Sequence, residues 1–174
     1  MNNQSIIFNG FMGVGKTTIA KQVANQLNYT FIDIDEEIVN SYKLPITEIF
    51  SQFGEDSFRV KETELIKLYL KQPLTVISLG GGAFKSNENT KMCMENGIVI
   101  HLDLSYDEWK KRIPKLIHSR PILQNKSNQD IKELFIERQS IYLNRHLHIL
   151  TDHLTENMVT EKVMNELIKY KKES

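Results

Sequence analysis

Residues Gly10-Phe11-Met12-Gly13-Val14-Gly15-Lys16-Thr17 constrain this chain more than any other stretch. They fit G-x-x-x-x-G-K-[ST], a loop whose backbone N–H groups curl around a phosphate. Such a loop needs a strand before it and a helix after it. The apolar run Ile6-Ile7-Phe8 precedes it, and Ile19, Ala20, Val23, Ala24 and Leu27 follow at helical spacing. The helix N-terminus adds partial positive charge. Lys16 is then placed for the β- and γ-phosphates and the Thr17 hydroxyl for Mg²⁺. Gly13, Val14, Gly15 and Thr18 complete the nucleotide cradle. The competing reading is a glycine-rich turn with an exposed lysine. At average glycine usage the full pattern arises by chance in about one chain in 200 of this length, and the flanking periods favour phosphate binding.

Apolar runs of strand length alternate with helical patterns along the rest of the chain. The strands expected are 5–9, 29–33, 74–79, 98–102 and 147–150. The helices expected are 16–27, 36–42, 46–52, 55–70, 87–95, 106–113, 129–144 and 156–171. Several strands are apolar almost throughout, as strands covered on both faces are. The alternation predicts an α/β fold: a five-stranded parallel sheet with helices on both sides, in one domain spanning 1–174. Ligands in such folds sit at the carboxyl ends of the strands. The segment 114–127 has neither period, and loops of that length inside a compact domain are usually functional or disordered.

Composition narrows the function classes. Lys and Arg total 22, as do Asp and Glu, so there is no basic field to hold nucleic acid. The one cysteine, Cys93, excludes an internal disulfide, and its neighbours Met92 and Met94 suggest a buried, inert thiol. No segment approaches the ~18 apolar residues of a membrane span, and no basic n-region precedes the first strand. The expectation is a cytoplasmic protein, monomeric by default. His101, His118, His146, His148 and His153 show no metal spacing to Glu or Cys and receive no chemistry. Trp109 shares a stripe with Ile113 and is expected to pack. The cations of Lys169-Tyr170-Lys171-Lys172 suit the C-terminus of the last helix.

Four further groups carry chemistry. In Phe31-Ile32-Asp33-Ile34-Asp35 two carboxylates at spacing two point the same way while a strand continues. Asp33 suits a metal, and Asp35 suits an acceptor hydroxyl whose proton it receives; alternatively, Asp35 caps the next helix. Arg59 and Glu62 share a helix face. They form either an exposed ion pair, the plainer local reading, or a guanidinium held for a carboxylate. Gly80-Gly81-Gly82 follows a central strand, where backbone can approach a ligand closely. In the long segment, Pro121 biases Arg120 to extended backbone, from which an arginine can swing over phosphates. Arg112 at the base of that segment can stack on an adenine. Arg138 shares a face with Tyr142. For Arg112 and Arg138 a solvated surface position is the plainer local reading.

The ordered set resembles the shikimate kinase family over nearly the whole chain. The loop with its Phe11-Met12, the Asp33-x-Asp35 element, Phe58-Arg59-x-x-Glu62, Gly80-Gly81-Gly82, Arg120-Pro121-Ile122-Leu123 and Glu137-Arg138 to Tyr142 follow the family's order. The resemblance implies a nucleoside-monophosphate-kinase-like P-loop fold with a substrate-binding region near 34–62 and a lid near 114–126. It implies phosphorylation of the shikimate 3-hydroxyl by ATP with Mg²⁺, in aromatic amino-acid biosynthesis. It assigns Asp35, Lys16 and Arg120 to catalysis. Asp35, Arg59, Gly80, Gly81, Gly82 and Arg138 go to shikimate, with Glu62 orienting Arg59. Arg112 and Arg120 go to the nucleotide, and Thr17 and Asp33 to the metal. A module that binds without turnover, and a kinase for another small molecule, are the alternatives. The intact Lys16, Asp33, Asp35 and Arg120 argue against the first. Arg59, Arg138 and the glycine triplet argue against a sugar lacking a carboxylate.

Overall fold

The computed structural model describes residues 4–117 and 121–173. Among them, five parallel strands form one sheet: β1 (Ser5–Asn9), β2 (Thr30–Asp33), β3 (Thr75–Ser78), β4 (Gly97–Asp103) and β5 (Leu147–Leu150), in the order β2-β3-β1-β4-β5. Successive strand residues bury on opposite faces. Ile6, Phe8, Val76, Ile98, Ile100 and Leu102 join one apolar cluster, while Ile7, Ile77 and Val99 join the other. The first is closed by α1 (Lys16–Leu27), α5 (Tyr106–Lys110), α7 (Asn128–Gln139) and α8 (Glu156–Glu173). The second is closed by α2 (Ile34–Tyr42), α3 (Ile46–Tyr69) and α4 (Asn87–Asn96). Burial on both faces is what makes the central strands β1, β3 and β4 read as nearly unbroken apolar runs, whereas the edge strands β2 and β5 are partly exposed.

Several boundaries differ from the sequence expectation. Helix α2 starts at Ile34 because Asp33 ends its strand and caps the helix, its Oδ1 accepting from Glu36 N–H at 3.3 Å. Asp35 therefore stands in a first helical turn, and the cap is Asp33 instead. The expected helices 46–52 and 55–70 run together as α3 across a kink at Gly54 (φ 80°, ψ 167°). The expected helix 106–113 breaks after Lys110. A one-turn α6 (Ile113–Leu116) and a 3₁₀ turn at Pro121–Leu123 occupy part of the segment read as structureless. Helix α7 gives way after Gln139 to a 3₁₀ turn, Ser140–Tyr142. No helix among the described residues is long and apolar enough to cross a membrane.

Trp109 packs, as expected, and also ties α5 to the phosphate loop. Its ring is fully buried against Phe11 and Phe135, and its Nε1–H donates to the Met12 carbonyl at 2.7 Å. Trp109→Phe keeps most of the packing but strands that carbonyl. The expected cost is about 2 kcal/mol, read as a lower urea midpoint at unchanged m-value; an unchanged midpoint would contradict the anchoring role.

Candidate active site

The loop between β1 and α1 takes the shape its sequence demands. Gly15 caps α1 at φ 102°, a conformation that L side chains rarely adopt. Lys16 is buried, and its Nζ donates to the carbonyls of Gly10 and Phe11 at 2.8 and 2.9 Å. The ammonium is thus held against the loop that would wrap a phosphate. Thr17 Oγ1 donates to Asp33 Oδ2 at 2.7 Å and lies 3.5 Å from Ser78 Oγ. Ser78 is the register partner of Asp33. It was not singled out by sequence, because only strand pairing brings it beside the carboxylate. Two hydroxyls and a carboxylate make an all-oxygen donor set, which suits a hard cation such as Mg²⁺. Arg112 Nη1 donates to the Gly13 carbonyl at 2.7 Å, so this arginine is tied to the loop rather than solvated.

A second cavity, of about 330 Å³, opens beside the loop. Its polar wall is Asp35, Arg59, Arg138 and Gly80-Gly81-Gly82, and Ile46, Phe50 and Phe58 from α3 supply an apolar wall. Segments far apart in sequence therefore meet here. The glycine triplet explains how. A methyl group at Gly80 would lie 2.7 Å from Asp35 Oδ1 and 3.0 Å from Glu62 Oε1. One at Gly82 would lie 2.7 Å from Arg59 Nη2 and 3.2 Å from Arg138 Nη1. Only side chains ending at hydrogen let these charged groups close on one point. Tyr142 secures the triplet, its hydroxyl donating to the Gly81 carbonyl. This cavity and the one lined by Lys16, Thr17 and Asp33 share Met12, Asp35 and Gly81.

The electrostatics are unusual around Glu62, which is fully buried. Its Oε2 accepts from Arg59 Nη1 at 2.9 Å, while Oε1 has no hydrogen-bond partner among the described residues. Burial pushes its pKa up to about 7 against the opposing pull of Arg59, with the Asp35 and Glu55 charges adding to the rise. Burial works against the Arg59 charge, but Glu62 and Glu55 outweigh it and hold the guanidinium more firmly protonated. The exposed ion pair that local sequence favoured is instead half buried and aimed at the cavity. Arg138 is only 4% exposed, and its Nε has no hydrogen-bond partner among the described residues, so it too is no surface arginine. Cys93 is buried and its thiol is pushed up to about 12, chiefly by burial, as an inert thiol would be. Arg120 lies outside the described residues.

Glu62 gives a pH dependence with a definite sign. Its folded pKa stands above its ordinary value of 4.5, so the folded chain binds that proton more tightly than the unfolded chain. The contribution is complete below about pH 4.5 and is lost as pH rises through about 7. It amounts to about 3 kcal/mol. Glu62→Gln removes this slope in urea-unfolding free energies measured across that window. Parallel pH profiles for the two proteins would rule the effect out.

The comparisons with known proteins agree with this geometry. The family model for shikimate kinase matches residues 12–170. The shikimate kinase of Oceanobacillus iheyensis is 44% identical over 167 residues, covering 96% of this chain and 91% of the relative. That of Bacillus subtilis is 42% identical over 168 residues, covering 96% and 90%. A solved shikimate kinase from Acinetobacter baumannii, in complex with shikimate, superposes with a TM-score of 0.89 at 28% identity, covering 95% of this chain and 93% of that one. With an all-parallel five-stranded sheet, a phosphate loop and an arginine-lined pocket already in place, the chain belongs to the shikimate kinase family.

Proposed function

We infer that this enzyme transfers the γ-phosphoryl group of ATP to the 3-hydroxyl of shikimate, giving shikimate 3-phosphate and ADP for aromatic amino-acid biosynthesis. One observation carries the assignment of roles. The arginine-lined cavity and the phosphate loop open into each other at Asp35, so an acceptor and a triphosphate can meet there. Shikimate is a small ring with a carboxylate and three hydroxyls. Arg59 and Arg138 take the carboxylate, and buried Glu62 fixes the Arg59 guanidinium. Gly80, Gly81 and Gly82 form the floor. Asp35 accepts from the reacting hydroxyl and receives its proton.

Transfer of a phosphoryl group is mainly positioning and charge stabilisation. Lys16 exchanges its loop carbonyls for phosphate oxygens. Gly13, Val14, Gly15 and Thr18 present the loop to the nucleotide, and Arg112, tied to Gly13, serves its adenine side. Thr17, Asp33 and Ser78 fit Mg²⁺, which when bound neutralises charge on the phosphates. The region 34–62 holds the acceptor. The segment 114–126 acts as the lid, with Arg120 over the transferring group. Every group in this reading comes from one chain, which supports a monomer working as a single domain.

The decisive assay measures ADP release with shikimate, gluconate and nucleoside monophosphates. Turnover with shikimate alone is expected; turnover confined to another acceptor would overturn the reading. Gly82→Ala tests the pocket floor. The added methyl would displace Arg59 Nη2, the end of a flexible side chain. The fold should therefore survive while KM for shikimate rises about tenfold, the size of a weakened charged hydrogen bond. An unchanged KM would place the carboxylate elsewhere.

A further inference from the structure

Outside this site, strand pairing assembles a second constellation. His101 and Asp103 lie two apart on β4, so both side chains stand on one face. His148 on β5 is the register partner of His101, which puts its ring on that same face. His148 Nε2 lies 2.9 Å from Asp103 Oδ2, and His101 Nε2 lies 3.9 Å from Asp103 Oδ1. The two rings stack at 5.5 Å, inclined by 13°. One ligand atom from each of the three residues lies within 4.8 Å of the other two.

Neighbouring contacts orient these atoms, although the Arg145 charge nearby works against a cation. Buried His101 pairs through Nδ1 with Asn9 Oδ1 at 3.2 Å. With the proton on that nitrogen, the Nε2 lone pair faces the Asp103 carboxylate across a gap too long for a hydrogen bond. Asp103 Oδ1 is itself fixed by Leu104 N–H at 2.9 Å. Partners of this kind, on the far side of a histidine or a carboxylate, orient metal ligands. A tetrahedral ion with bonds near 2.1 Å holds its ligand atoms about 3.4 Å apart. The His101–Asp103 gap of 3.9 Å is wider than that and the His148–Asp103 gap of 2.9 Å narrower, so filling the site draws on movement of the Asp103 carboxylate and of the exposed His148 ring.

We propose that His101, Asp103 and His148 form a binding site for a borderline transition-metal ion of the Zn²⁺ type, with a fourth position open to water. Two imidazoles and one carboxylate suit Zn²⁺ and Co²⁺ better than Mg²⁺, so the site is chemically distinct from the all-oxygen set at Thr17, Asp33 and Ser78. A filled site fixes the ring on which Tyr142 stacks at 4.9 Å, and Tyr142 holds the Gly81 carbonyl. The ion thus braces the floor of the acceptor pocket from beneath.

Titration of the whole chain with Co²⁺, in excess Mg²⁺ and without nucleotide, tests this. The expected result is one Co²⁺ per chain with the visible bands of tetrahedral cobalt, displaced by Zn²⁺. His148→Gln, at an exposed position, weakens binding at least about tenfold, and Asp103→Asn does the same. The imidazole NMR signals of His101 and His148 broaden, while those of His146 and His153 persist. Failure to bind stoichiometrically, bands unchanged in His148→Gln, or broadening confined to His146 or His153 would each overturn the proposal.

Discussion

Asp35→Ala is expected to lower kcat for shikimate by at least about 10², the lower range for a positioned acid–base group. The side chain sits in the first turn of α2, where the two cavities join. Among the described residues no other carboxylate lines both cavities: Glu55 lines only the acceptor side and Asp33 only the phosphate side. Removing Asp35 leaves the reacting hydroxyl without a proton acceptor at that junction. Asp35→Asn keeps the shape and a hydrogen bond but not the basicity, so it should recover KM and not kcat. Steady-state kinetics with saturating ATP separate the two. Near-normal kcat in Asp35→Ala would remove the residue from the chemistry.

Arg138→Ala is expected to raise KM for shikimate by about 10²-fold, since a hydrogen bond to a charged group is worth about 1.5–3 kcal/mol and this one is desolvated. Arg138 is buried on α7, with Nη1 against the Gly82 position and Nε unpartnered among the described residues. Placing an anion beside such a buried cation offsets the cost of its desolvation. KM for ATP should move little, because the phosphate cavity is lined by other residues. Arg138→Lys should recover only part of the loss, since an ammonium cannot reproduce the guanidinium fork. An unchanged KM for shikimate would mean that the carboxylate binds elsewhere.

The sheet was legible because its central strands, β1, β3 and β4, are buried on both faces, and the edge strands keep enough apolar residues to read as short runs. β1 and β5 begin and end where their apolar runs do, at Ser5–Asn9 and Leu147–Leu150. The phosphate loop was legible because its function is written in consecutive residues. Boundaries failed where a side chain chose between states. Asp33 rather than Asp35 caps α2, which moved the helix start back by two residues and ended the strand geometry that paired the two aspartates. Both nevertheless line the phosphate cavity, because the first turn of α2 points Asp35 towards it. Arg59 and Arg138 looked like surface residues because nothing local marks burial at 4% exposure for Arg138; only the family pattern gathered them. Ser78, the Trp109 bond to Met12 and the His101–His148 stack depend on register between strands or on helix-to-loop packing. A single chain read in order carries no signal for those.

The account turns on whether two guanidinium groups and one carboxylate grip opposite ends of a single small acid beside the phosphate loop. A crystal structure with shikimate and ADP bound measures that directly. The expected result is the shikimate carboxylate within hydrogen-bond distance of both Arg59 and Arg138, with a ring hydroxyl on Asp35. A ring bound in that cavity with its carboxylate turned away from both arginines, or shikimate held at another surface, would contradict it.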